Sequence, residues 1–175
     1  QGAPNAPDAQ GTQAFRETWS RMADKLCGLA AEDEAQGRLI SAGDKYGRAA
    51  TYYLTAERLQ AHGAPGREAL YGRFLEVFAK GMALAGENCE GVQIPYEGGH
   101  LSALLVRGEG MHGHGGRAPI LVQVSGLDST KEMKYRVGLP RWLAQRGVSS
   151  LVVGQPGTGE ALRLHGMTAR HGSGH

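Results

Sequence analysis

At Gly91 the spacing of apolar residues changes, and this change limits the folds open to the chain. Before it, Phe15, Trp19, Met22, Leu26 and Leu29 recur at alternating steps of four and three, which draws one stripe along a helix. A second helical run covers about 42–61, with Tyr46, Ala49, Ala50, Tyr53 and Leu54 on one side. Pro65 is placed to start a third, with Tyr71, Phe74, Phe78 and Met82 as its stripe. Such helices must bury their stripes against each other or against later elements of the chain. The alanines of the middle helix permit close approach in a hairpin-like, tetratricopeptide-like stack, although no internal repeat is visible.

After Gly91 the pattern is that of strands. Val92, Ile94 and Tyr96 alternate with polar residues, Gly98-Gly99 supply a tight turn, and His100 to Arg107 is strand-like again, which predicts a β-hairpin. A glycine-rich loop runs from Gly108 to Pro119. Ile120 to Val124 (ILVQV) reads as a short strand, a helical segment ends near Gly147, and Val148 to Val153 is another buried strand. Strand, helix and strand in that order form a βαβ unit, and such units place parallel strands in an α/β sheet. The expected organisation is an unstructured lead over 1–13, a helical domain over 14–90 and an α/β domain over 91–175.

Composition narrows the function classes. A length of 175 residues is one domain or slightly more, at about 150 residues per domain. The chain has 28 glycines where average usage gives about 12, without the Gly-X-Y period of collagen. Apolar runs are too short to span a bilayer, and no signal-peptide pattern opens the chain, so no membrane association is expected. Basic residues of the second part are scattered singly, which argues against nucleic acid as a partner. Cys27 and Cys89 fit neither a metal site nor a disulfide framework, so buried free thiols in a reducing, cytoplasmic setting are expected.

Several motifs fail on their chemistry. Gly154 to Gly159 follows a strand as a phosphate loop would, but Glu160 and Ala161 stand where Lys and Ser or Thr are needed, and a carboxylate would repel the phosphate. The dinucleotide pattern fails because Leu162 occupies its third glycine. No cofactor is expected. His112 and His114 lie in the glycine-rich loop with no third ligand nearby, and His165, His171 and His175 fall in a terminal stretch expected to fray, so no metal is expected. Tyr52 and Tyr53 read as ordinary core residues rather than walls of a substrate pocket.

The most informative segment is Ser125 to Glu132. It leaves the end of a strand, carries Gly126 where the backbone can bend, and offers Asp128 or Ser129 as an N-cap for the next helix. Backbone N–H groups at such a corner are free to donate to a developing oxyanion. A capped strand-to-helix turn without chemistry uses the same residues.

The stretches GDKYGRAATYYLTAERL, VQIPYEGGHLSALLVRGEG, ILVQVSGLDSTKEM and LAQRGVSSLVVGQPGTGEALRLHGM together resemble the N-terminal part of an α/β-hydrolase over about residues 40–167. The resemblance is to the subgroup that places a helical domain before the catalytic one, and GLDSTKE and QPGTGEA are its specific pieces. It implies that the loop after the third strand forms the oxyanion hole, with the Leu127 backbone N–H as donor and Gly126 and Asp128 shaping the loop. It also implies that the helical domain covers the pocket and selects a small-molecule substrate. Where the family commonly has Asp after the fourth strand, this chain has Gly154.

The family's G-x-S-x-G nucleophile elbow is missing, since no serine of this chain has glycine two positions before and two after it. The expectation is therefore the first half of a hydrolase sheet that is inactive alone, with the third strand left as an exposed apolar edge prone to self-association. The competing reading is a non-catalytic, protein-interacting helical module carrying a remnant hydrolase sheet.

Overall fold

A computed structural model of the chain describes residues 7–110, 119–126 and 129–169, with side chains from residue 11 onward. The chain divides into two compact units, Gln1–Glu87 and Asn88–His175.

The first unit holds α1 (Pro7–Ala35), α2 (Leu39–Arg58) and α3 (Arg67–Leu84). α1 begins at Pro7, inside the stretch expected to be an unstructured lead. Proline has no N–H to lose at a first helical position, and Gln13 Nε2 donates to Glu17 Oε1 one turn on at 2.9 Å.

The face α1 buries is not its stripe of large residues. Ala23, Ala30 and Asp33 are buried, whereas Met22 and Leu29 are exposed. Small residues let the helices approach closely, and Asp33 must reach inward to accept from Arg38, Ser41 and Lys45 at the start of α2. The larger side chains flank that contact, with Trp19 meeting Tyr52 edge to face at 5.1 Å between ring centroids.

α2 buries its predicted face, Tyr46, Ala49, Ala50, Tyr53 and Leu54, and α3 buries Tyr71, Phe74 and Phe78 of its own, with Met82 near its end only half-buried. They cross where neither carries a side chain. A Cβ added at Gly43 would lie 2.7 Å from the Gly81 carbonyl oxygen and 2.8 Å from Ala85 Cβ, and one at Gly81 would lie 2.9 Å from the Gly43 carbonyl oxygen. Arg67 Nε of α3 pairs with the fully buried Glu57 of α2 at 2.7 Å, and Lys80 Nζ ties α3 to Glu34 of α1 at 2.8 Å.

The second unit is a four-stranded sheet of order β1-β2-β4-β3, built from β1 (Glu90–Tyr96), β2 (Gly99–Val106), β3 (Ile120–Val124) and β4 (Ser149–Val153). β1 and β2 form the expected hairpin, but its two-residue turn is Glu97-Gly98, and Gly99 already pairs with Tyr96. Both turn residues have positive φ, 45° and 78°, which suits the right-handed twist of the strands. β4 pairs antiparallel with β2 and parallel with β3.

The crossover from β3 to β4 is two short helices, α4 (Lys131–Arg136) and α5 (Leu139–Ala144), rather than one. Gly138 turns the chain between them at φ 99°, and Pro140 sits in the first turn of α5. Trp142 is 60% exposed on α5. α6 (Gly159–Arg163) follows β4. Cys27 and Cys89 are half-buried rather than fully buried, and neither takes part in a disulfide. Among the described residues no helix is long and apolar enough to cross a membrane.

Gly43→Ala should overpack the α2–α3 crossing and destabilise the helical unit by about 1–3 kcal/mol. Gly28→Ala, at a helical position where an added Cβ meets nothing within 4 Å, should instead stabilise it by about 0.5–1 kcal/mol. Urea titrations followed by far-ultraviolet circular dichroism check both signs.

Candidate active-site corner

β3 and β4 are parallel and in register, with Val124 opposite Val153 at their ends. The connections beyond these ends therefore leave the same edge of the sheet as neighbours. After β3 come Ser125 and Gly126, and Ser129 N–H donates to the Gly126 carbonyl at 3.1 Å. Leu127 and Asp128, the expected donor and one of the expected shaping residues, lie outside the described residues. A Cβ at Gly126 would meet nothing within 4 Å, so packing does not demand glycine there.

The N-cap of α4 is Thr130, not Asp128 or Ser129. Its extended backbone, φ −115° and ψ 161°, aims its hydroxyl oxygen at the Met133 N–H, which donates to it at 3.3 Å. Ser125 is buried, and its hydroxyl has no hydrogen-bond partner among the described residues.

Immediately after the cap stands a charge cluster. The Lys131 side chain is 7% exposed, and its ammonium donates to Glu132 Oε1 and to Glu160 Oε2, each at 2.7 Å. Glu160 belongs to α6, so this contact joins the connection after β3 to the one after β4. Burial works against the charged form of Lys131, but the two carboxylates outweigh it and hold the ammonium above the usual lysine value. Burial likewise pushes Glu160 up, and Lys131, with help from the Ser102 hydroxyl, outweighs that and leaves it below its usual value. His165 Nε2 lies 3.7 Å from Glu160 Oε1, and the His165 ring meets His100 edge to face at 5.3 Å. His165 is thus packed against the sheet unit rather than frayed. His112, His114, His171 and His175 lie outside the described residues.

Gly154 opens the connection after β4. A Cβ there would lie 3.0 Å from the Ser102 carbonyl oxygen, which already accepts the Gly154 N–H at 2.9 Å, and 4.0 Å from Lys131 Cδ. The position is filled by backbone contact with β2, and Glu160 supplies the acid that anchors this connection.

Sequence reasoning missed this pair, although it left a signal. Lys131 and Glu160 each lie seven residues beyond the register partners Val124 and Val153. In this sheet these two opposite charges, at equal offsets from the paired strand ends, do meet. A surface cavity of about 240 Å³ is lined by Tyr96, Glu97, Pro156, Gly166, Met167 and Thr168, so it touches the turn after β4 at Pro156 but not Ser125, Gly126 or Lys131. Among the described residues no group of three or more metal-ligating side chains is positioned to hold an ion. Tyr52 and Tyr53 pack within the helical unit, Tyr52 on Trp19 and the Tyr53 hydroxyl on Asp24.

Comparison with solved structures places this topology. The 2,6-dihydroxy-pseudo-oxynicotine hydrolase superposes with a TM-score of 0.69 at 23% identity, over 86% of this chain and 40% of that one. This is the N-terminal part of an α/β-hydrolase fold. AbyA5 matches with a TM-score of 0.52 at 26% identity, over 79% of this chain and 36% of that one.

Curated relatives of this hydrolase-like chain are also hydrolases. Hydrolase LUC6 of Fusarium sp is 32% identical over 86% of this chain, and hydrolase acrC of Aspergillus aculeatus is 30% identical over 95% of it. The 20-hydroxy-prefusarin hydrolase FUS2 of Gibberella moniliformis is 30% identical over 87%. The chain spans 36%, 42% and 37% of the length of these relatives. No protein-family model matches it.

The Lys131–Glu160 contact has a defined pH window. Glu160, lowered in the folded state, contributes stability that is full above its ordinary value of 4.5 and is lost as pH falls from there through the lowered value. Lys131, raised in the folded state, contributes below its ordinary value of 10.5 and ceases to as pH rises through the raised one. Glu160→Gln should therefore be less stable than the parent at pH 7, with the difference closing in acid. Thermal midpoints of the two proteins across pH 3–8 check this.

Proposed function

We propose that this chain supplies the helical domain and the oxyanion side of an α/β-hydrolase that cleaves an ester, amide or carbon–carbon bond of a small-molecule substrate through a serine nucleophile. The observation that carries the reading is the parallel register of β3 and β4. It brings the connection that leaves β3 with Ser125 and Gly126 to the same edge as the turn that leaves β4 with Gly154, the edge where ligands of α/β folds bind. In this reading the Leu127 N–H donates to the oxyanion of a tetrahedral intermediate, with Gly126 and Asp128 shaping the loop around it. The nucleophile elbow, acid and histidine come from residues beyond this sequence, so the 175-residue chain has no turnover by itself.

Two measurements test the reading. A fluorophosphonate probe should leave the 175-residue chain unlabelled, and stoichiometric labelling would overturn the assignment of the nucleophile to other residues. The coding sequence downstream of His175, read in all three frames, should hold a G-x-S-x-G elbow followed by Asp and His. A stop with nothing recognisable beyond it favours the non-catalytic interaction module instead. In a hydrolase carrying both parts, Leu127→Pro removes the donor and should lower kcat by about 10²–10³-fold.

The edge of the sheet supports a proposal about partners. Ile120, Val122 and Val124 on β3 are each more than half exposed, and among the described residues β3 is an edge strand of the sheet. We propose that the 175 residues alone self-associate through this strand, a second copy covering what a later strand would cover in a longer hydrolase. Size-exclusion chromatography should show dimers or larger species that Val122→Lys shifts to monomer, and a monomeric parent would contradict the proposal.

A further inference from the structure

We propose that the cavity enclosed by the β1–β2 turn and the connections that follow β4 and α6 is a binding site for a small organic cation, an alkylammonium ion held by the Tyr96 ring and the Glu97 carboxylate. This goes beyond the oxyanion reading and does not depend on it.

The register of the sheet puts the cavity at a ligand-binding edge. β2 runs antiparallel to β4 with Ala103 opposite Val153, and the Ser102 carbonyl accepts the Gly154 N–H at 2.9 Å. The start of β2 therefore extends past the end of β4, and the Glu97-Gly98 turn lies on the side toward which β4 and β3 both point. Contacts within the unit set the walls before any ligand arrives. Gly157 N–H donates to the Met167 carbonyl at 2.7 Å, which ties the turn after β4 to the segment after α6, and Met167 N–H donates to the Ala161 carbonyl of α6 at 2.8 Å. A Cβ at Gly157 would lie 2.7 Å from Ala169 Cβ, and one at Gly99 would lie 3.1 Å from Met167 Cε, so the three segments approach where glycine leaves room. The ring contact of His165 with His100, at 5.3 Å between centroids, joins the start of β2 to the residues after α6 once more. Walls fixed in this way lower the cost of ordering a site around its ligand.

The lining selects for positive charge. Among the residues that line the cavity, Glu97 brings the only charged side chain, Tyr96 an aromatic ring whose face is electron-rich, and Met167 a polarisable thioether. The hairpin turn sets the φ of Glu97 at 45°, so its carboxylate is carried on a fixed backbone. An anion would meet like charge at Glu97. A cation gains from the carboxylate and from the ring face together, and an alkylammonium ion can use both while its methyl groups meet the thioether. The volume of about 240 Å³ lies below the roughly 300 Å³ at which sites for drug-sized ligands begin, so the ligand is small.

Amide chemical shifts of the 175-residue chain, titrated at constant ionic strength with choline and with its uncharged tert-butyl isostere, test the proposal. Choline should shift the amides of Tyr96, Glu97, Gly166, Met167 and Thr168 saturably, and the isostere should bind at least about fivefold more weakly. Glu97→Gln should weaken choline by a similar factor. Tyr96→Leu, which removes the ring, should weaken it about two- to fivefold, and Tyr96→Phe, which keeps the ring, should match the parent. Where self-association broadens the spectrum, the titrations are run in Val122→Lys, which alters the opposite edge of the sheet. Equal binding of choline and the isostere, no saturable shift with choline, or parent-like affinity in Glu97→Gln overturns the proposal. The comparison of the two ligands needs no variant, so it stays decisive if the hairpin fails to fold without Tyr96. The Leu127→Pro kinetics bear on the oxyanion reading alone, so the two can fail separately.

Discussion

Ser149–Val153 is hydrogen-bonded on both sides, antiparallel to β2 and parallel to β3, and the second unit is organised by that double pairing. The antiparallel side ties the strand to a hairpin that is local in sequence. The parallel side needs a crossover, and α4 and α5 provide it. Because the parallel register ends with Val124 opposite Val153, two connections of unlike sequence are delivered to one edge. The candidate chemistry is a consequence of strand register before it is a consequence of side chains.

Once those connections are adjacent, side chains decide how firmly they are held. Position 154 lies close to the Ser102 carbonyl, which leaves little room for a side chain directly after β4. An acid six positions later, Glu160, performs the anchoring through Lys131.

Much of the architecture was legible because periodicity reports burial. The α2 and α3 faces, the hairpin and both strands of the βαβ unit follow from apolar spacing and from turn residues. What was not legible depends on distance across the fold. The stripe of α1 predicts the wrong buried face, because the choice between large and small residues was made by the approach of α2 and by the charge on Asp33. The cap of α4 falls at Thr130 because its backbone conformation, which composition does not encode, aims its hydroxyl. The break at Gly138 and the Lys131–Glu160 contact likewise need neighbours that are remote in sequence or a backbone angle that only the folded chain reveals.

The two tryptophans fall one in each unit, in opposite surroundings. Trp19 packs between the rings of Phe15 and Tyr52, whereas Trp142 stands mostly in solvent on α5. Indole emission reports the polarity around the ring, so the chain carries a built-in optical label for each half. A blue-shifted component belongs to the helices and a red-shifted one to the sheet, which allows the melting of each half to be followed in a single sample without an added dye.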